Sequence, residues 1–391
     1  MSSAAIYLDF AATTPVDPRV AYAMQSCLSP DGAFANPASI HVAGRASAAL
    51  VERARQQLAD LLGTDPRCLI WTSGATESDN LAIAGAASFR AHRGKHLITM
   101  PTEHKAVTDT FKNLEKSGYD VTWLQPDSDG LLATKVLEAH IRQDTQLVSV
   151  MHVNNETGVI QDIRRIGEVC RERDILFHTD AAQSVGKLPL NLNELPVDLL
   201  SLTAHKFHGP QGIGALYVAE RPGCRILPIM HGGGQERRLR PGSLPVHQIV
   251  GAGTAARIAG GEMTHDLAHV TGLRDRLWEG IQDLPGILRS GNADHSYPGI
   301  FNVSAEGVEG ESLLLGLDPV CVASGSACNS TSGESSYVLR ALGRDDAQAQ
   351  SAIRFSFGRS TTKDEIDVAI ERYRWAVDHL RSIAPPKRLA S

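Results

Sequence analysis

Lys206 stands in SLTAHKFHGPQG, Ser201 to Gly212, at the end of an apolar run through Val197, Leu199 and Leu200. A solvated lysine needs no such setting. A lysine becomes a nucleophile when it is desolvated or set beside other cations. Asp180 ends the stretch ILFHTD 26 residues earlier, and an aspartate at a buried strand end needs a cationic partner. After CLIW comes Thr72-Ser73-Gly74-Ala75-Thr76-Glu77. Small and hydroxyl residues opening a helix make an anion site from backbone N–H groups and the helix dipole, while a plain N-cap is the simpler alternative. His104, past the apolar run 96–100, reads alone as packing or surface, and Asn154-Asn155 reads alone as a turn. Together these groups make a phosphate cup, a ring-facing histidine, a carboxylate and an amine for an aldehyde. That set is what pyridoxal 5′-phosphate requires. The rival use of such a sheet, nicotinamide binding, lacks its G-x-G-x-x-G fingerprint after the first strand.

Two further stretches bear on the reaction. Cys328 lies in SGSACNSTSG, Ser324 to Gly333, whose small polar composition is that of a mobile loop and excludes a core role. An exposed thiol invites oxidation and needs a reason, the alternative being an incidental loop thiol. Arg354, inside the apolar AIRFS, needs an anion. A substrate α-carboxylate paired bidentately would serve, and so would a structural salt bridge.

The elements that must position these residues alternate. Strand patterns at 68–71, 96–100, 121–124, 147–152, 175–178 and 198–202 are separated by helical patterns at 46–62, from 75, 105–116 and 163–173, and an extra strand is expected within 212–218. The alternation predicts an α/β fold with a mostly parallel sheet covered on both faces. Functional residues of such sheets gather at the carboxyl ends of the strands. Beyond residue 260, helices at 266–281 and 362–380 flank short strands at 300–303 and 352–356, which predicts a smaller α+β domain; the tail from Ala384-Pro385-Pro386 reads as disordered.

At 391 residues, 42% hydrophobic and 21% charged, the chain has the composition of a globular protein with a core large enough to shield a reactive site. A net charge of −6 without a basic block argues against direct nucleic-acid binding. No signal peptide and no apolar stretch of membrane-spanning length is seen, so a cytoplasmic location and no membrane partner are expected. The six cysteines form no C-x-x-C pair and no zinc spacing, so no metal site is expected and most should be buried free thiols.

The motifs TSGATESDN, TEHKAV, MHVNNETG, DAAQSVGK, AHKFHGPQGIGALYV, HGGGQERRLRPGSLPVHQIVG, SGSAC and AIRFS closely resemble those of the cysteine desulfurases in the class V aminotransferase group, the bacterial housekeeping type of iron–sulfur assembly. The resemblance runs from YLDFAATTP to about Leu380. It implies the fold type I, aspartate-aminotransferase-like architecture: a large domain at 15–260 with a mostly parallel seven-stranded sheet, a small α+β domain from 1–14 and 261–384 carrying the cysteine loop, and a disordered tail at 385–391. It also implies a homodimer acting on L-cysteine. Lys206 would hold the cofactor, Asp180 its pyridine nitrogen and Gln183 its ring hydroxyl. His104 would stack on the ring and serve in acid/base chemistry. Ala75, Thr76, Thr203 and His205 would bind the phosphate, Asn155 would touch cofactor and substrate, and Arg354 would take the substrate carboxylate. Ser243, where the family has a hydroxyl, would reach the neighbouring subunit's phosphate. Cys328 matches the persulfide-forming cysteine, from which sulfur passes to a protein acceptor such as an iron–sulfur scaffold, or serves thiolation. Other uses of the same residues are a selenocysteine lyase, another class V enzyme, or a non-catalytic sulfur-transfer scaffold. The intact Lys206, Asp180 and His104 argue against the last. Arg238 and Pro241 depart from the family pattern, and the ending APPKRLAS lacks the longer tail that docks the scaffold. Cys321 is expected to be a buried strand thiol, a resolving thiol being the alternative.

Overall fold

The computed structural model describes residues 5–324 and 335–384. Seven strands form the main sheet in the order Leu69–Thr72, Gly214–Val218, Leu199–Thr203, Leu176–Asp180, Thr145–Ser149, His96–Thr99, Asp120–Trp123. All neighbours run parallel except Gly214–Val218, which is antiparallel to both of its partners. The central strands are buried along their whole length, as their near-continuous apolar runs require of a sheet covered on both faces.

The cover is helical. The Lys105–Lys116 and Ile163–Glu172 helices each bury one apolar stripe, including Val107, Phe111 and Leu114 in the first and Ile166, Val169 and Cys170 in the second. The Val42–Leu62 helix ends where Gly63 turns left-handed at φ 59°, a conformation glycine adopts without steric cost. It packs along the Val246–Ile281 helix, which is longer than the 266–281 pattern suggested. Its front half is rich in glycine, which reads in sequence as a breaker. In the fold those glycines are contacts: a Cβ on Gly253 would come within 2.5 Å of Ala54 Cα, and one on Gly251 within 2.8 Å of Met24 Sδ.

A second sheet, antiparallel throughout, runs Ala323–Ser324, Ala352–Ser356, Ile300–Ala305, Ile287–Ser290. The Lys363–Ile383 helix covers it, started by a capping box between Thr362 and Glu365. The first described residues belong to this part: Ile6–Tyr7 pairs with Val320–Cys321, and Leu8 and Ala11 join its core. The expected boundary at residue 260 falls within the continuous Val246–Ile281 helix. That helix places Ile249, Ala252 and Ala256 in the core of the large sheet and Val270, Leu273 and Leu277 in the second core.

Candidate active site

A cavity of about 570 Å³ opens at the carboxyl ends of the main strands. It gathers Ala75, Thr76, His104, Asn155, Asp180, Gln183, Thr203, His205, Lys206 and Arg354. Residues up to 343 positions apart in the chain, Ala11 and Arg354, therefore line one cavity.

Each side chain is placed by the element that precedes it. Leu199–Thr203 runs into a single 3-10 turn, Ala204–Lys206, which delivers Lys206 to the cavity. Lys206 Nζ donates to the carbonyls of Ala11 at 2.5 Å and Ala12 at 2.7 Å, so the N-terminal segment crosses over the lysine. Asp180 is the last residue of Leu176–Asp180, and its carboxylate accepts from the Ala182 N–H at 2.8 Å. Burial raises its pKa, opposed by the charges of His104 and Lys206. His104 caps the Lys105–Lys116 helix, its Nδ1 accepting from the Ala106 N–H at 3.1 Å. That bond leaves Nε2 as the proton-bearing nitrogen of the neutral ring. Burial lowers the pKa of His104, with Asp180 acting against it. His205, whose Nδ1 lies 3.0 Å from Thr13 Oγ1, is pushed down to about 4 by burial and by Lys206 and Lys187.

The helix from Ala75 to Arg90 opens on Gly74 with no side-chain cap. The first N–H groups of a helix have no acceptor within it, and Ala75 and Thr76 line the cavity. The turn that carries them rests on Gly214, where a Cβ would come within 2.7 Å of Gly74 Cα. Glu77, in the same first turn, accepts from the Ser73 N–H at 2.7 Å and pairs with Arg240 at 2.9 Å.

Arg354 resolves the choice its sequence left open only in part. Nη2 pairs with Asp9 at 2.7 Å and Nη1 donates to the Asn155 carbonyl at 2.8 Å. A structural ion pair is therefore present, while Nε is buried without a partner among the described residues and the side chain still lines the cavity.

Ser243 is exposed and is not among the residues lining this cavity. Cys328 lies outside the described residues, as does the tail at 385–391. Of the described residues on either side of it in the chain, Ala323 pairs in register with Arg354, and Ser336 Oγ donates to Glu156 Oε2 at 2.5 Å. Cys321 lies on a strand, as expected, but is exposed instead of buried, because its two-residue strand sits at the edge beside Tyr7. The other described cysteines, Cys27, Cys68, Cys170 and Cys224, are buried free thiols.

Sequence reasoning missed the groups behind the site. Glu103 is fully buried, accepts from the Met151 N–H at 2.7 Å and has its pKa raised well above the usual range by burial. Asp79 is likewise buried, 3.5 Å from His178 Nε2, and is pushed well up by burial and then by Asp180. No periodicity signals such residues: Glu103 lies in a turn between a strand and a helix, and Asp79 is buried on its helix beside Ser78. The carbonyls of Ala11 and Ala12 were equally invisible, because backbone atoms carry no sequence signature.

These residues fit pyridoxal phosphate. The uncapped helix start offers N–H donors to a phosphate, Asp180 offers a carboxylate to a protonated pyridine nitrogen, and Lys206 offers an amine. Asn155 Oδ1 is buried and has no partner among the described residues, a vacancy in the hydrogen-bond ledger that a bound donor would fill.

Comparison with known proteins gives the family. Residues 6–368 match the model of the family described as aminotransferase class-V. The chain is 57% identical over 381 residues to "Cysteine desulfurase IscS" of Cronobacter sakazakii, covering 97% of this chain and 94% of that protein. Among solved structures, one described as "NIFS-LIKE PROTEIN" superposes with a TM-score of 0.89 at 36% identity, covering 96% of this chain and 100% of the other. Another, "SspA in complex with cysteine", gives a TM-score of 0.81 at 38% identity, covering 91% and 100%.

Proposed function

Since the chain belongs to the class-V aminotransferase family, whose members depend on pyridoxal phosphate, we propose that it is a cysteine desulfurase. The overall change is balanced: L-cysteine and the Cys328 thiol give L-alanine and a Cys328 persulfide. A C–S bond breaks and an S–S bond forms. The observation that carries the reading is the convergence of Lys206, Asp180, His104 and Arg354 on one cavity.

The cofactor, when bound, supplies an aldehyde for an amino group and a ring that stabilises charge at the amino acid's Cα. The chain does the rest. Asp180 holds the pyridine nitrogen and Gln183 the ring hydroxyl. Ala75, Thr76, Thr203 and His205 hold the phosphate, with Ser243 of a second copy reaching the same group. Arg354 and Asn155 bind and orient the amino acid. Lys206 would hold the cofactor through its amine and, when that amine is free, would move the proton at the amino acid's Cα. His104 covers the ring face. With Nδ1 engaged by Ala106, the neutral ring would offer a hydrogen-bond donor at Nε2; taking the substrate thiol proton there would require Nδ1 to give up that bond. The Cys328 thiolate attacks the substrate sulfur, the ionised thiol being the reacting form.

A homodimer follows the same reading. Tyr22, Leu28, Phe34, Ile40 and Val42 are exposed apolar side chains between residues 22 and 42, and a second copy covering them would remove that apolar surface from water. The persulfide would pass to a protein acceptor, an iron–sulfur scaffold or a thiolation partner, in the cytoplasm. No helix among the described residues is long and apolar enough to cross a membrane.

The test is single-turnover mass spectrometry with L-cysteine and no reductant. One added sulfur on the Cys328 peptide with matching alanine is expected. Bound cofactor with alanine formed but no sulfur on Cys328 would move the reading to a lyase, and absence of both products to another class V reaction.

A further inference from the structure

Lys187 closes the stretch DAAQSVGK and has no role in the chemistry above. Its Nζ donates to Gln183 Oε1 at 2.7 Å and lies 5.5 Å from the centroid of the Tyr297 ring. Gln183 is buried, and its Nε2 donates to the Ala11 carbonyl at 2.8 Å. The same carbonyl accepts from Lys206 Nζ at 2.5 Å. Lys187 is thus linked to the reactive lysine through Gln183 and Ala11.

The orientation of a glutamine amide is set by its partners, and these partners leave no choice. A lysine amine offers N–H donors and a carbonyl offers only an acceptor. Gln183 must turn Oε1 to Lys187 and Nε2 to Ala11. Either contact alone would let the amide plane rotate about the remaining bond. With both made, Gln183 keeps one donor, the second N–H of Nε2, and one further lone pair on Oε1. Gln183 lines the cavity, and an oxygen of a ligand that carries no proton there can be met only by that N–H. Burial, and then the charges of Lys206 and Arg354, lower the pKa of Lys187 well below that of an ordinary lysine. The neutral amine keeps N–H donors, so the orientation holds in either state.

We propose that Lys187 is a positioning residue that fixes the amide plane of Gln183, so that an N–H and not the carbonyl oxygen meets the ring hydroxyl oxygen of the cofactor and favours its anionic form. The inference rests on the reading of the cavity as the cofactor site.

The experiment uses the cofactor-loaded protein without substrate. Its readouts are the visible absorption band and the rate of cofactor loss to an excess of a carbonyl trap, in wild type, Lys187→Met, Gln183→Ala and the double variant. Lys187→Met is expected to shift the band and speed release about tenfold, the loss of one charge-assisted hydrogen bond. Added to Gln183→Ala it should change neither readout further, because it acts through that amide. Lys187→Arg, which keeps donors, should hold the wild-type band, and Gln183→Glu, which has no N–H, should shift it; these two decide the matter if Lys187→Met does not fold. A wild-type band in Lys187→Met or Gln183→Glu, a shifted band in Lys187→Arg, or effects that multiply in the double variant would overturn the inference alone. If borohydride fixes no cofactor on Lys206 of the wild-type chain, the reading of the site fails and the inference with it.

Discussion

The floor and the rim of the cavity are built on different terms. The floor is made of strand ends from one sheet. Lys206, Asp180 and His104 each follow a buried strand or cap a helix, and each is tied by bonds to backbone atoms. The rim belongs to the second sheet. Arg354 sits on Ala352–Ser356, paired with Ala323–Ser324, the last described strand before Cys328 in the chain. On the proposed function the floor would hold a group that stays through every turnover, whereas the rim would handle an amino acid and a sulfur atom that enter and leave. Such a division predicts that the two regions can be disabled separately.

Lys206→Ala should show the largest effect. Removing the amine takes away both the covalent attachment and the Cα proton carrier, and alanine formation should fall by at least about 10²–10⁴-fold. Borohydride treatment should then leave no cofactor on the chain. Cys328→Ser should abolish the added sulfur and the alanine while leaving the cofactor band unchanged. Full alanine production from cysteine in that variant would sink the assignment and erase the contrast between floor and rim.

Arg354→Ala tests the rim at its junction with the floor. Loss of a charge-assisted contact of about 1.5–3 kcal/mol should lower kcat/KM about 10- to 150-fold, mainly through KM. Asp9→Asn removes only the structural partner and should cost less in KM. If the two variants match, Arg354 is a structural residue. The smallest effect concerns Glu156, which anchors Ser336. Burial raises its pKa from the ordinary 4.5 to about 7, opposed by the Ser336 hydrogen bond and Arg354. The folded state therefore holds a proton that the unfolded state releases within this window. The contribution is fully present below pH 4.5 and is lost as pH rises through 7. Glu156→Gln should flatten that part of the stability profile, as read by thermal unfolding at pH 5, 6, 7 and 8.

Much of the fold was legible because its strands are short apolar runs bounded by turns, and its helices carry a stripe of one period. Lys206, Asp180 and His104 were legible for a related reason: each is a polar residue at the end of an apolar strand pattern, where a parallel sheet opens. The Val246–Ile281 helix was only half legible. Its glycines weaken helix propensity locally, and their value lies in the close approach to Ala54 and Met24, a partner the local pattern does not contain.

The sequence by itself determined the alternation of elements, the positions of the polar residues at the strand ends and the chemistry those residue types permit. Tertiary structure alone decided the pairing of Arg354 with Asp9, the crossing of Ala11 and Ala12 over Lys206, the exposure of Cys321 and the bond from Lys187 to Gln183. The physical reason is the range of the forces involved. Periodicity and capping act over a few residues of one segment, so they can be read along the chain. Burial, ion pairing and the orientation of an amide depend on which distant segments meet, and that is settled only when the two sheets pack around the helix they share.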